Sequence, residues 1–97
     1  MTRIVIKQLA FDKYNLEHIQ KHNVTETEIK QAGKNLIYHR RSYKGRYLVT
    51  GRSNTRLITL VLKREAKGKY YLVTARDASK NERRDVYVKE KKQNTRV

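Results

Sequence analysis

The sequence predicts an α+β fold: a small antiparallel sheet of four to five strands, with a meander over residues 36–76, packed by two N-terminal helices and one C-terminal helix. Three observations support this. The first 34 residues carry helix-capping patterns and no long alternating run. From Leu36 to Arg76 the hydrophobic pattern has period two, broken by turn signals at Lys44-Gly45, Ser53-Asn54-Thr55 and Ala66-Lys67-Gly68. After Arg76 the pattern turns charged and helical, starting at Ser79-Lys80-Asn81-Glu82, whose Ser-x-x-Glu spacing is that of a capping box.

Taken in order, Ile4-Val5-Ile6-Lys7-Gln8-Leu9-Ala10 has a β-branched start and reads as an edge strand. Asp12 can cap a helix over 13–22 that buries Leu16 and Ile19, with Asn23 as a left-handed stop. Thr25 and Glu28 form a second capping-box pattern, and Val24 and Ile29 have the spacing of a hydrophobic staple; Gly33 is the expected C-terminal cap. Strands follow near 36–42, 46–52, 56–64 and 69–76, and their short connections make neighbours antiparallel. Leu57-Ile58-Thr59-Leu60-Val61-Leu62 is apolar on both faces and should be central. The last helix is expected over 79–91, with 92–97 a disordered basic tail.

The chain, 97 residues long, reads as one domain over 1–97 with a single core. With no cysteine, disulfides and thiolate metal sites are excluded. No apolar run approaches the roughly 18 residues of a membrane span, so a soluble cytoplasmic protein is expected. The formal charge is +15, and between Ile29 and Arg64 there are ten Lys or Arg and no Asp or Glu. Such a chain attracts polyanions: nucleic acid, an acidic protein or an anionic surface.

A meander brings the ends of alternate strands to one edge. Arg52 and Arg76 end strands on either side of the central one, at roughly 10 Å, two interstrand spacings, and Arg56 begins that central strand at the same end. Whether Arg52 and Arg76 share a face depends on register. Three arginines beside a helix N-terminus suit phosphate oxygens, because guanidinium forks bind them in pairs and free N–H groups add to the field. In the structural alternative, Arg76 pairs with Asp77, Glu82 or Asp85 and holds the last helix on the sheet.

The nine carboxylates are spread too thinly for a metal-dependent nuclease, and His18 and His22 lack the intervening Glu of a metalloprotease helix; no metal and no cofactor is expected. Metal-free RNA cleavage needs a group that neutralises the phosphate and groups that move protons. His22, Lys21, His18, Glu82 and Tyr87 are the candidates for proton transfer.

Three stretches, in this order, resemble the BrnT-type ribonuclease toxins of bacterial type II toxin–antitoxin systems. They are Asn15-Leu16-Glu17-His18-Ile19-Gln20-Lys21-His22-Asn23-Val24-Thr25 with Glu28, Gly45-Arg46-Tyr47-Leu48-Val49-Thr50-Gly51-Arg52, and Val73-Thr74-Ala75-Arg76-Asp77-Ala78-Ser79-Lys80-Asn81-Glu82-Arg83-Arg84 with Tyr87. Together they cover residues 11–87. The chain departs from the common pattern in lacking an N-terminal tryptophan and in having His-x-x-x-His. The resemblance implies a RelE-like fold, metal-independent cleavage of RNA, ribosome-associated mRNA included, that inhibits translation, a cognate antitoxin, and contact with operator DNA only through the toxin–antitoxin complex. Carried over by motif, Arg52, Arg76, His22 and Lys21 are its catalytic candidates. From the residues themselves, Arg46, Arg56, Arg83 and Arg84 are candidates for RNA or phosphate contact and His18, Glu82 and Tyr87 for acid/base work. A non-catalytic RNA-, DNA- or antitoxin-binding module would use the same basic residues without cleavage.

Overall fold

The computed structural model describes residues 4–21 and 23–94. Its elements in chain order are β1 (Gln8–Ala10), α1 (Lys13–Gln20), α2 (Glu26–Lys34), β2 (Leu36–Arg41), β3 (Arg46–Ser53), β4 (Arg56–Ala66), β5 (Lys69–Asp77) and α3 (Lys80–Asn94). The sheet order is β1-β5-β4-β3-β2, so β4 is central as its two apolar faces require. Strands β2 to β5 form the expected antiparallel meander. The expectation of a wholly antiparallel sheet is corrected by β1, which pairs with β5 in parallel, Leu9 opposite Tyr70. Only three residues of the expected strand over 4–10 pair, and the Lys7 and Gln8 N–H groups both donate to the Gly68 carbonyl at the β4–β5 turn.

Local signals set the helix starts. The Asp12 carboxylate accepts the Asn15 N–H, and Thr25 and Glu28 close a reciprocal capping box. Asn23 takes the left-handed conformation, φ 59. Gly33 is not the cap of α2: the helix continues through it to Lys34, and Asn35 ends it with φ −120. Nor does α3 stop at 91, because its backbone stays helical to Asn94; residues 95–97 of the expected tail lie outside the described residues.

The sheet has two unlike faces. Ile58, Leu60 and Leu62 of β4 join Val49, Leu72 and Ala75 against Ile19 of α1 and Ile29 and Ala32 of α2, all buried. Among the described residues the other face has a smaller buried apolar cluster, Leu57 of β4 and Ala78 against Val86 of α3, flanked by Ile37 and Tyr38. α1 and α2 are therefore held by a main core, and α3 needs polar help.

α2 lies directly on the backbone of β3 at Gly51. A Cβ there would stand 2.1 Å from the Ala32 carbonyl oxygen and 2.9 Å from that of Asn35. The Arg52 N–H donates to the Asn35 carbonyl, and the Asn35 side-chain amide donates to the Arg52 carbonyl, so this contact also fixes the backbone of Arg52.

Gly51→Ala is expected to destabilise the fold by about 3 kcal/mol or more, since two backbones have to separate. Gly33→Ala, whose Cβ meets only Ile6 at 3.8 Å, should stabilise by roughly 0.5–1 kcal/mol through helix propensity. Urea unfolding of the two variants should give shifts of opposite sign.

Candidate functional site

Register decides which arginines meet. Thr50 pairs with Thr59 and Thr59 with Arg76, while Arg52 pairs with Leu57. Alternation along the strands therefore puts Arg52 and Arg76 on one face, the α3 face, one pleat apart (about 7 Å) along the strand direction. Arg56 pairs with Ser53 and lies on the opposite face with Ile58. The grouping of three arginines is corrected accordingly: they share an edge, but only two share a face.

The first turn of α3 builds the polar centre. The Ser79 hydroxyl accepts the Glu82 N–H at 3.2 Å, and the Glu82 carboxylate accepts the Ser79 N–H at 2.7 Å. Arg76 donates to the same carboxylate with both prongs, Nη1 to Oε1 at 2.8 Å and Nη2 to Oε2 at 3.0 Å. The Thr59 hydroxyl donates to Oε1 at 2.9 Å. Having spent its one proton there, Thr59 must accept from Thr50, 2.8 Å away. Arg40 of β2 brings Nη2 to 3.8 Å from Oε2. Glu82 is only 3 % exposed. Burial pushes its pKa up, but the Arg76 fork, the Ser79 N–H, the Thr59 hydroxyl and the Arg76 charge outweigh burial and hold it down at about 2. Such a carboxyl carries no proton at neutral pH and is a weak base, and its bonds orient Arg76.

Three further carboxylates engage the other arginines. Glu90, two turns along α3 from Glu82, accepts Arg52 Nε at 3.1 Å and Nη2 at 2.8 Å, and this pairing raises the Arg52 pKa. On the opposite face Arg56 donates to Asp77 at 2.7 Å, to Glu28 at 2.6 Å and to the Asn23 carbonyl at 2.8 Å. Asp77 is lowered chiefly by Arg56; Glu28 is lowered first by the Thr25 N–H and then by Arg56. Arg56 thus ties the turn after Lys21 to the sheet edge next to Arg76.

The remaining candidates are dispersed. Lys21 caps the C-terminus of α1, exposed, in the helical layer behind the sheet. His18 is exposed on α1, and His22 lies outside the described residues. Arg46 is on the α3 face but at the far end of β3, roughly 20 Å from Arg52. Arg83 donates to the Ala78 carbonyl, and Arg84 is exposed. Tyr87 is 54 % exposed on α3. The sequence reading missed Arg40 and Glu90. Arg40 could have been found from β2 alternation, since Tyr38 and Arg40 share a side; Glu90 could not, because its reach depends on the crossing angle of α3. Among the described residues no three His, Asp or Glu side chains gather as metal ligands would, and no helix is long and apolar enough to cross a membrane.

No protein-family model matches the sequence, and no curated protein matches it. Among solved structures, the crystal structure of the Brucella abortus ribonuclease toxin BrnT matches with a TM-score of 0.60 at 16 % identity, covering 75 % of this chain and 97 % of the toxin chain. The fold is that of BrnT. The expected resemblance to BrnT is thus met at the level of the backbone, across nearly the whole toxin, while a quarter of this chain lies beyond the match.

Glu82→Gln should cost about 2–3 kcal/mol at pH 7 by depriving Arg76 of its charged acceptor. A lowered folded-state pKa contributes stability above the ordinary value of 4.5 that is lost as pH falls toward about 2. The gap between wild type and variant in urea unfolding should therefore narrow across that window and be nearly constant above it.

Proposed function

We propose that the chain is an endoribonuclease of the toxin type that cleaves RNA without a metal ion and thereby arrests translation. Support comes from one juxtaposition: on the backbone fold of a ribonuclease toxin, Arg76 is presented at an open sheet face beside a helix N-terminus, held in a fixed orientation by a carboxylate that stays ionised. In RNA the ribose 2′-hydroxyl attacks the adjacent phosphorus, a base takes its proton, and the departing 5′-oxygen receives one. The chain's task at the phosphorus is to stabilise the charge that builds on its oxygens, which a guanidinium does by paired hydrogen bonds without needing reorganisation. Arg52 lies on this face as well, engaged by Glu90. Tyr87, Lys21, His22 and His18 are the candidates for the two proton transfers.

An acidic antitoxin is the partner this charge distribution calls for, with operator DNA reached through the complex. The second reading, a binding module without cleavage, draws on the finding that Arg52, Arg56 and Arg76 all grip carboxylates of their own chain and could serve mainly as struts.

The purified chain should cleave RNA, or ribosome-bound mRNA in a cell-free extract, in the presence of EDTA. Arg76→Lys keeps the charge and loses the fork; for a nuclease, cleavage should fall at least ~100-fold with RNA affinity within a few-fold of wild type. Tight RNA binding by wild type with no cleavage, with or without ribosomes, would sink the enzyme reading and leave the binding module.

A further inference from the structure

We propose that the phosphate-binding centre on this face is the pair Arg40 and Arg76, brought together by Glu82, and that Arg52 is instead an anchor for α3. This rests on the ribonuclease reading and changes which residues carry it. The first argument is charge. Arg52 and Glu90 match one to one: the carboxylate takes Nε and Nη2 of the guanidinium, and Nη1 points to the Thr55 carbonyl. Arg40 and Arg76 share a single carboxylate, so one positive charge is left over there.

Geometry gives the second argument. Arg40 and Arg76 come from β2 and β5, three interstrand gaps across and two residues along the strand, about 16 Å apart at the backbone. Yet both bring Nη2 to the same oxygen of Glu82, at 3.8 and 3.0 Å, which keeps the two nitrogens within about 7 Å of each other. Two oxygens of one phosphate can bridge that gap at the charge-assisted hydrogen-bond length of about 2.8 Å.

Access gives the third. The Arg40 side chain is 55 % exposed and that of Arg76 37 %, whereas Glu82 is buried and keeps its bonds to Ser79 and Thr59. An incoming anion meets guanidinium edges, with the carboxylate behind them. The row Arg40, Leu48, Val61, Thr74 runs across the sheet on this face, and Leu48, Val61 and Thr74 are half-buried. It offers a partly apolar floor on which a ribose or base can lie while its phosphate meets the two arginines. The ligand class is a phosphodiester of single-stranded RNA.

The test uses the full chain with a labelled single-stranded 2′-O-methyl RNA, which lacks the attacking hydroxyl and cannot be cleaved by this route. Arg40→Ala should weaken binding at least 10-fold and reduce the slope of log affinity against log salt by about 0.7, the loss of one phosphate contact. Arg40→Lys should recover part of the affinity and the full slope. Arg52→Ala should change affinity less than 3-fold while lowering the unfolding temperature. If Arg40→Ala binds like wild type, or Arg52→Ala shows the larger loss, the assignment is overturned. Wild type that binds this RNA through Arg40 but leaves ordinary RNA intact would retain the centre and reject the nuclease; no binding at all would reject both.

Discussion

Glu82 closes the capping box of α3, accepts the fork of Arg76, ends the Thr50–Thr59 hydroxyl relay and draws in Arg40 from the far side of the sheet. A buried carboxylate is tolerable only when its lone pairs are used and its charge is met, and here both conditions hold. Little else attaches the start of α3: Val86 is the one fully buried apolar side chain of that helix among the described residues. Helix position, arginine orientation and the polarity of the sheet face are therefore one arrangement. Altering the carboxylate alters all three.

The contrast between the two faces follows from what covers them. Behind the sheet, α1 and α2 bring Leu16, Ile19, Ile29 and Ala32 to a continuous apolar layer, and Gly51 lets α2 approach to backbone contact. That layer supplies the stability of a small domain. The front can then afford threonines in the central strands and arginines at their ends. Arg56 joins the layers at the edge, from Glu28 and Asn23 across to Asp77. Asp77 neighbours Arg76, so the rigid back of the molecule reaches the guanidinium through a single peptide unit.

Features set by short-range physics were legible in the sequence. The capping boxes at Thr25 and Ser79 are each contained within four residues, and the meander is dictated by turns too short for any other connection. The parallel strand β1 was not legible as such: pairing Leu9 with Tyr70 spans most of the chain, and three residues leave almost no periodic signal. The face of Arg56 was hidden for a related reason, since one residue of register moves a side chain to the other side of a sheet. The pairing of Arg76 with Glu82 was foreseen as a structural alternative, and the structure has it. Arg40 and Glu90 needed the crossing of α3 over the sheet, which no local pattern records.

The two carboxylates that organise the front face come after every arginine they engage: residues 40, 52 and 76 precede Glu82 and Glu90. During synthesis the chain therefore leaves the ribosome with the guanidiniums of its future site unmatched and unoriented. The sheet can form with its apolar back, but its front acquires a fixed geometry only when α3 follows. A truncated product ending near residue 79 would keep most of the basic charge and lose its arrangement, attracting polyanions without a defined way to hold them.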